Sequence, residues 1–213
     1  MRLALDVRDL VAASWPTDPD AVARAVHPRL EPAAIDRRFL VTLLAARCSG
    51  GRLGALPLPA FSHLHVATYV RERDEIAAYV VRAAATWPGL AAAFFGAPQR
   101  LARLRVVEGY VEGRGLGVAL RYRLDGPRDA GELRASELAL VETGGLRAFR
   151  LRSRPTEWQS AVLLDPPRAD ILLALGFDVA GDPTLRYARS ASLETHLPPR
   201  PIPSRSSSRR ARR

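Results

Sequence analysis

The sequence predicts an α+β domain dominated by a curved, mostly antiparallel sheet or barrel, with two or three short helices. Three observations predict it. Apolar and polar residues alternate in segment after segment, as where Val118, Leu120, Tyr122 and Leu124 interleave with Ala119, Arg121 and Arg123, which is the period of strands with one wet face. Turn-forming groups such as "RERD" and "GRGLG" separate these segments at short intervals. Helical spacing occurs only in brief runs, each bounded by proline or glycine.

Taken in order, Asp18 and Pro19 fit an N-cap followed by a first-turn proline, and Ala21, Val22, Ala25 and Val26 recur at helical spacing until Pro28 stops the run. The segment "RFLVTLLAAR" (38–47) is compact and apolar, so it reads as a buried strand leading into a turn at "SGGRLG". "HLHVATYV" and "EIAAYVV", separated by "RERD", read as two paired strands. Pro88 opens a short helix, "GLAAAFF", that Gly96 can close in a left-handed cap and Pro98 prevents from resuming. Strands follow in "RLARLRVVEGYV", "LGVALRYRL", "ELRASELAL" and "LRAFRLRSR", and "DPPRADILLALG" offers a last short helix closed by Gly176. The chain ends in "LPPRPIPSRSSSRRARR", which has too few apolar groups to offset the entropy of ordering. One domain over residues 1–196 and a disordered Arg/Ser/Pro-rich tail over 197–213 is the expectation.

Composition narrows the chemistry. All 32 basic residues are arginine, so no lysine is present to act as Schiff base, general base or phosphate-binding residue. Residues 197–213 hold six of the arginines and no acid, which leaves 26 Arg against 22 acids in the body and makes the formal +10 largely a property of the tail. The single cysteine, Cys48, can form no intramolecular disulfide and closes an apolar run, as a buried structural thiol would. Asp6 and Asp9 interrupt what would be a signal peptide's apolar region, and Pro88 and Gly89 break the longest uncharged stretch, Ala83 to Gln99. A cytoplasmic protein with no membrane span is expected.

Few motifs carry chemistry. "GRGLG" (113–117) superficially resembles a dinucleotide fingerprint but precedes a strand, so a hairpin turn is the better reading. His63 and His65 stand two apart in a strand, and both rings leave the same face. They could ligate a metal, line a pocket or serve as hydrogen-bonded structural groups, yet no HxxxH or CxxC spacing supplies further ligands, so neither a metal nor a cofactor is expected. No serine sits in a G-x-S-x-G elbow. The basic tail could touch nucleic acid or an anionic surface in a salt-sensitive, sequence-blind way, and it has no aromatic residue to stack on bases.

The order "LVAASWP", "HPRLEP", "FLVTLLAAR" and "FSHLHVATYV" resembles the YqjF-like family, a conserved family of unknown function in the acetoacetate decarboxylase superfamily. The resemblance runs through "FFGAPQRLARLRV", covers residues 8–125, and beyond them is a matter of strand count. Where the family pattern carries Glu, Asn and Arg, this chain has His63, His65 and Ala67. In the decarboxylases the junction that looks like Pro98, Gln99, Arg100 and Leu101 reads Pro, Lys, Lys, with an imine-forming lysine where Gln99 stands. An amide cannot add to a ketone, and Arg100 remains protonated. The resemblance thus implies a barrel without decarboxylase activity that holds a small organic acid or carbonyl compound. In it Arg100 would pair with the acid group, Gln99, His63 and His65 would orient it, and Tyr69 and Trp87 would shape the wall. Two alternatives stand beside this: an enzyme using His63 or His65 as general base with Arg100 as stabiliser, and an interaction module whose tail contacts anionic polymers. Equally, Arg100 could face solvent while Gln99 caps the helix.

Overall fold

The computed structural model describes residues 1–87, 99–126, 138–142, 144–155 and 157–202. It opens with a long strand, β1 (Arg2–Pro16), followed by α1 (Pro19–Ala25), β2 (Glu31–Pro32), β3 (Leu40–Leu53) and β4 (Leu56–Pro57). The helix begins as its sequence requires: the Asp18 side chain accepts a hydrogen bond from the Asp20 amide at 2.7 Å, and Ala21 and Val22 face the core. Next come β5 (Phe61–Glu72) and β6 (Glu75–Ala85), the hairpin expected around "RERD", which turns on Arg73 and Asp74. The "GLAAAFF" segment lies outside the described residues. The chain resumes with β7 (Gln99–Leu101), β8 (Arg103–Val107), β9 (Tyr110–Arg114) and β10 (Val118–Leu124). Then follow β11 (Leu138–Glu142), β12 (Leu146–Arg150), β13 (Arg152–Pro155), β14 (Gln159–Leu163) and β15 (Arg168–Ala169). The last elements are α2 (Asp170–Ala174), β16 (Thr184–His196) and β17 (Arg200–Pro201).

These strands make one mixed, mostly antiparallel sheet. β1 lies between β16 and β3, and β3 leads through β5 to β6. β6 carries two short parallel partners, β11 and β7, and β11 continues to β12 and β17. On its other side β16 pairs with β13 and β14, and β14 leads to β10, which joins β9 and β15. The sheet curls without closing into a barrel, so of the two forms expected the curved sheet is the one observed. Its curl encloses a core of Leu3, Leu5, Val7, Cys48, Phe61, Val141, Phe149 and Ala191, drawn from β1, β3, β5, β11, β12 and β16. On the opposite face Trp15, Leu43, Val66 and Tyr187 pack with Leu120 and Tyr122 of β10, Val22 of α1 and Leu172 of α2. Among the described residues no helix is long and apolar enough to cross a membrane.

Several elements depart from the sequence reading. β1 and β16, joined by twelve registered pairs, were not among the expected strands. A bulge explains β1: Asp9 adopts φ 51°, the register shifts between Arg8 and Val11, and the inward face changes from odd to even positions. Beyond it Leu10 to Trp15 are buried on both faces, so alternation disappears. The bulge is held by the Asp9 carboxylate, which accepts from Arg47 Nη2 at 2.8 Å, Arg47 Nε at 3.1 Å and the Tyr187 hydroxyl at 2.9 Å. "SGGRLG" is also no turn, since β3 continues to Leu53 and the chain turns only at Gly54 and Ala55. A Cβ on Gly51 would meet the Ala4 carbonyl oxygen at 2.6 Å, so this glycine permits close strand approach. Finally, residues 197–202 belong to the sheet's margin and not to a free tail. Leu197 is buried and exchanges backbone hydrogen bonds with Met1, while β17 pairs with β12 and the Ile202 amide donates to Leu146. Residues 203–213 lie outside the described ones.

Candidate functional site

Strand alternation on β5 places Phe61, His63, His65, Ala67 and Tyr69 on the enclosed side of the sheet. The two imidazoles stack, with ring centroids 5.5 Å apart and planes inclined by 24°. His63 is buried, and its Nδ1 lies 4.0 Å from Cys48 Sγ. Burial lowers the pKa of His63 to about 3, with a further lowering from His65, and burial alone brings His65 to about 4. Burial pushes the Cys48 thiol up to about 12. Both rings are therefore neutral, each with one donor and one acceptor nitrogen, and the thiol carries no thiolate character at neutral pH. Among the described residues no group of three or more His, Cys, Asp or Glu side chains could hold a metal ion.

Toward the β1–β3 end of this face the lining becomes polar. Ser14 and Thr42, direct partners across β1 and β3, share a hydrogen bond of 2.9 Å between their hydroxyls. Tyr69 is buried, and burial raises its pKa while the nearby Thr42 hydroxyl and Arg186 oppose that shift. Arg186 of β16 completes the layer. Its Nη1 is buried with no hydrogen-bond partner among the described residues. Burial lowers its pKa, and the nearby Tyr69 and Asp36 oppose that shift. Asp36 reaches the region from a two-residue turn in which Asp36 and Arg37 both take positive φ, 47° and 65°.

Register ties these groups together. Arg186 stands opposite Ala12, Ala12 opposite Leu44, Leu44 opposite His65, His65 opposite Ala83, and Ala83 opposite Gln99. One row of cross-strand partners thus runs from β16 to β7, with His65 near its middle. Ala12 and Ala83, both with small side chains and both buried, flank Leu44 and His65 in that row.

Of the six residues singled out from the sequence, His63, His65 and Tyr69 share the enclosed face, and Gln99 joins their row by register. Arg100 does not converge with them. It is exposed, stands opposite Ala84 on the alternate register, and lines a separate cleft with Arg82. Trp87 follows the end of β6 and is 58% exposed. Sequence reading missed Arg186, Ser14 and Thr42. In "TLRYARS" the alternation of Leu185 and Tyr187 with Thr184, Arg186 and Ala188 was legible, but an arginine on a strand of so arginine-rich a chain reads as the solvated face.

No protein-family model matches the chain, and no curated protein matches it. Solved structures do match. Acetoacetate decarboxylase from Legionella pneumophila superposes with a TM-score of 0.69 at 13% identity, over 97% of this chain and 89% of that one. An acetoacetate decarboxylase-like enzyme from Sphingomonas wittichii RW1 gives 0.66 at 11% identity, over 95% and 93%. The enduracididine biosynthesis enzyme MppR, complexed with the condensation product of pyruvate and imidazole 4-carboxaldehyde, gives 0.65 at 13% identity, over 94% and 88%. The chain therefore carries the acetoacetate decarboxylase-like fold. At these identities the likeness is one of fold, and the chemistry must be argued from the residues above.

Proposed function

We propose that the enclosed face binds a small organic anion, a carboxylic or 2-oxo acid, through ion pairing and hydrogen bonds alone. The observation that carries this reading is the buried Nη1 of Arg186, which has no hydrogen-bond partner among the described residues. A guanidinium nitrogen withdrawn from water without a partner is costly, and a carboxylate seated against it restores a charge-assisted bond. Tyr69, Ser14 and Thr42 add hydroxyls beside it, and neutral His65 can donate or accept along the same row. Arg186 takes the anion-pairing part that the resemblance suggested for Arg100. MppR, complexed with pyruvate in another structure, offers a precedent for a small 2-oxo acid on this fold.

The chain is not an imine-forming decarboxylase in this reading. It contains no lysine, and the remaining amine, at Met1, donates to the Leu197 carbonyl at 2.8 Å. Its finer placement beside the YqjF-like family rests on the motif order of residues 8–125. Acid–base turnover by His63 or His65 gains no support from their surroundings, since rings with such low pKa values stay unprotonated near neutrality.

A thermal-shift series with small carboxylic acids, pyruvate among them, tests the proposal. At least one acid should raise the melting temperature, Arg186→Ala should weaken its binding by roughly 10- to 100-fold, and Arg100→Ala should leave it unchanged. No response across the panel, or a response that survives Arg186→Ala, contradicts it.

A further inference from the structure

The outer side of β6 and β7 carries a second feature that organic-anion binding does not use. Arg82 and Arg100 occupy diagonal positions on these adjacent parallel strands, because Arg100 is aligned with Ala84, two residues beyond Arg82. Both line a cleft of about 620 Å³ whose other walls are the β9–β10 hairpin and the β15–α2 segment. Two more guanidiniums, of Arg114 and Arg168, and two carboxylates, of Glu112 and Asp170, complete its charged lining. Each carboxylate is already engaged: Glu112 accepts from Arg114 Nε at 3.1 Å, and Asp170 from Arg168 Nε at 2.7 Å. Among the described residues Arg82 and Arg100 make no ion pair with any carboxylate. Two like charges therefore face one concavity without compensation, an arrangement that repels itself until an anion enters.

Two of the walls are fixed to each other. The Asp170 amide donates to the Gly117 carbonyl at 2.9 Å, and a Cβ on Gly117 would sit 2.5 Å from Asp170, so the hairpin is clamped against the β15–α2 segment. A volume of this size lies within the range of small-molecule sites. We infer that this cleft binds a phosphorylated small molecule, with Arg82 and Arg100 pairing the phosphate dianion. Arginine's planar fork suits phosphate oxygens, and two uncompensated positive charges match the two negative charges of a phosphate monoester near neutral pH. A concave cleft in which two cations lack a carboxylate partner among the described residues favours a small ligand over a polymer.

The test is a calorimetric titration of the full chain with inorganic phosphate and with phenyl phosphate at fixed ionic strength, beside the Arg82→Gln/Arg100→Gln double variant. Phenyl phosphate should bind, more weakly at pH 5.5 than at pH 7.5 as the monoanion forms, and the double variant should lose at least 10-fold. The tail is common to both proteins and so cancels in the comparison. Retention of the organic-acid thermal shift in the variant establishes that its fold and the Arg186 site are intact; Arg100→Gln, at an exposed position, serves if the double variant does not fold. Equal affinity in wild type and variant, or benzoate binding as tightly as phenyl phosphate and weakened equally by the Arg82→Gln/Arg100→Gln change, overturns the inference. So does an RNA oligonucleotide that depends on Arg82 and Arg100 while phenyl phosphate does not.

Discussion

His63 and His65 acquire their character from the face of β5 that carries them. Both are neutral in the folded protein because burial penalises the imidazolium, whereas in the unfolded chain each has the ordinary value near 6.5. The sign of the linkage follows. The unfolded chain binds more protons than the folded one at any pH between the folded values and 6.5, so stability is fully present above about 6.5 and is lost as pH falls toward 4 and then 3. Each ring should contribute a slope approaching about 1.4 kcal/mol per pH unit over that window. Urea unfolding at pH 7.5 and 5.5 should show the loss, and His65→Gln should reduce it; an identical pH dependence in the variant contradicts the assignment. Arg186 shows the complementary case, a cation in a partly dry setting whose Nη1 has no partner among the described residues.

At the scale of elements, sequence patterning identified what local rules govern. The Asp18-capped helix, the β5–β6 hairpin and the "GRGLG" hairpin between β9 and β10 all follow from turn and cap residues, and the structure has each of them. β1 escaped because its bulge at Asp9 breaks the period of two, and β16 because the partly buried Arg186 reads like the exposed Arg189 as part of a wet face. The "SGG" run was misread for a physical reason that can be tested. A Cβ added at Gly51 would meet the Ala4 carbonyl oxygen at 2.6 Å and Leu5 Cδ2 at 2.8 Å, while one at Gly50 would come no closer than 3.8 Å to the Asp6 carboxylate. Gly51→Ala should therefore cost about 1–3 kcal/mol and Gly50→Ala close to nothing, as read from denaturant midpoints. Equal costs would refute the close-approach account and restore a turn-like role for the pair.

Over the whole molecule, the sequence revealed the fold class and the strand face shared by His63, His65 and Tyr69. His63, His65 and Tyr69 share a face because residues two and six apart on a strand must do so, and that was visible without coordinates. Which strand lies opposite them was not, since Arg186 reaches their layer only through the long-range ladders β16–β1–β3–β5, and nothing local marks it. The sequence left open whether Arg100 faces a pocket or solvent for the same reason: its face is fixed by a three-residue parallel ladder to β6. The terminal arginines pose a separate question. If the chain binds anionic polymers through them, deleting residues 203–213 should abolish retention on heparin at low salt, and unchanged retention would place that affinity in the body. The central claim is that this fold, lacking any lysine, grips an organic anion at Arg186. Its most direct test is a crystal structure of the full chain with the acid that most raises its melting temperature. The account predicts the carboxylate within hydrogen-bond distance of Arg186 Nη1 on the enclosed face, beside Tyr69 and with no covalent bond to the protein. An acid seated instead against Arg100 in the outer cleft, or joined covalently to any residue, would contradict it.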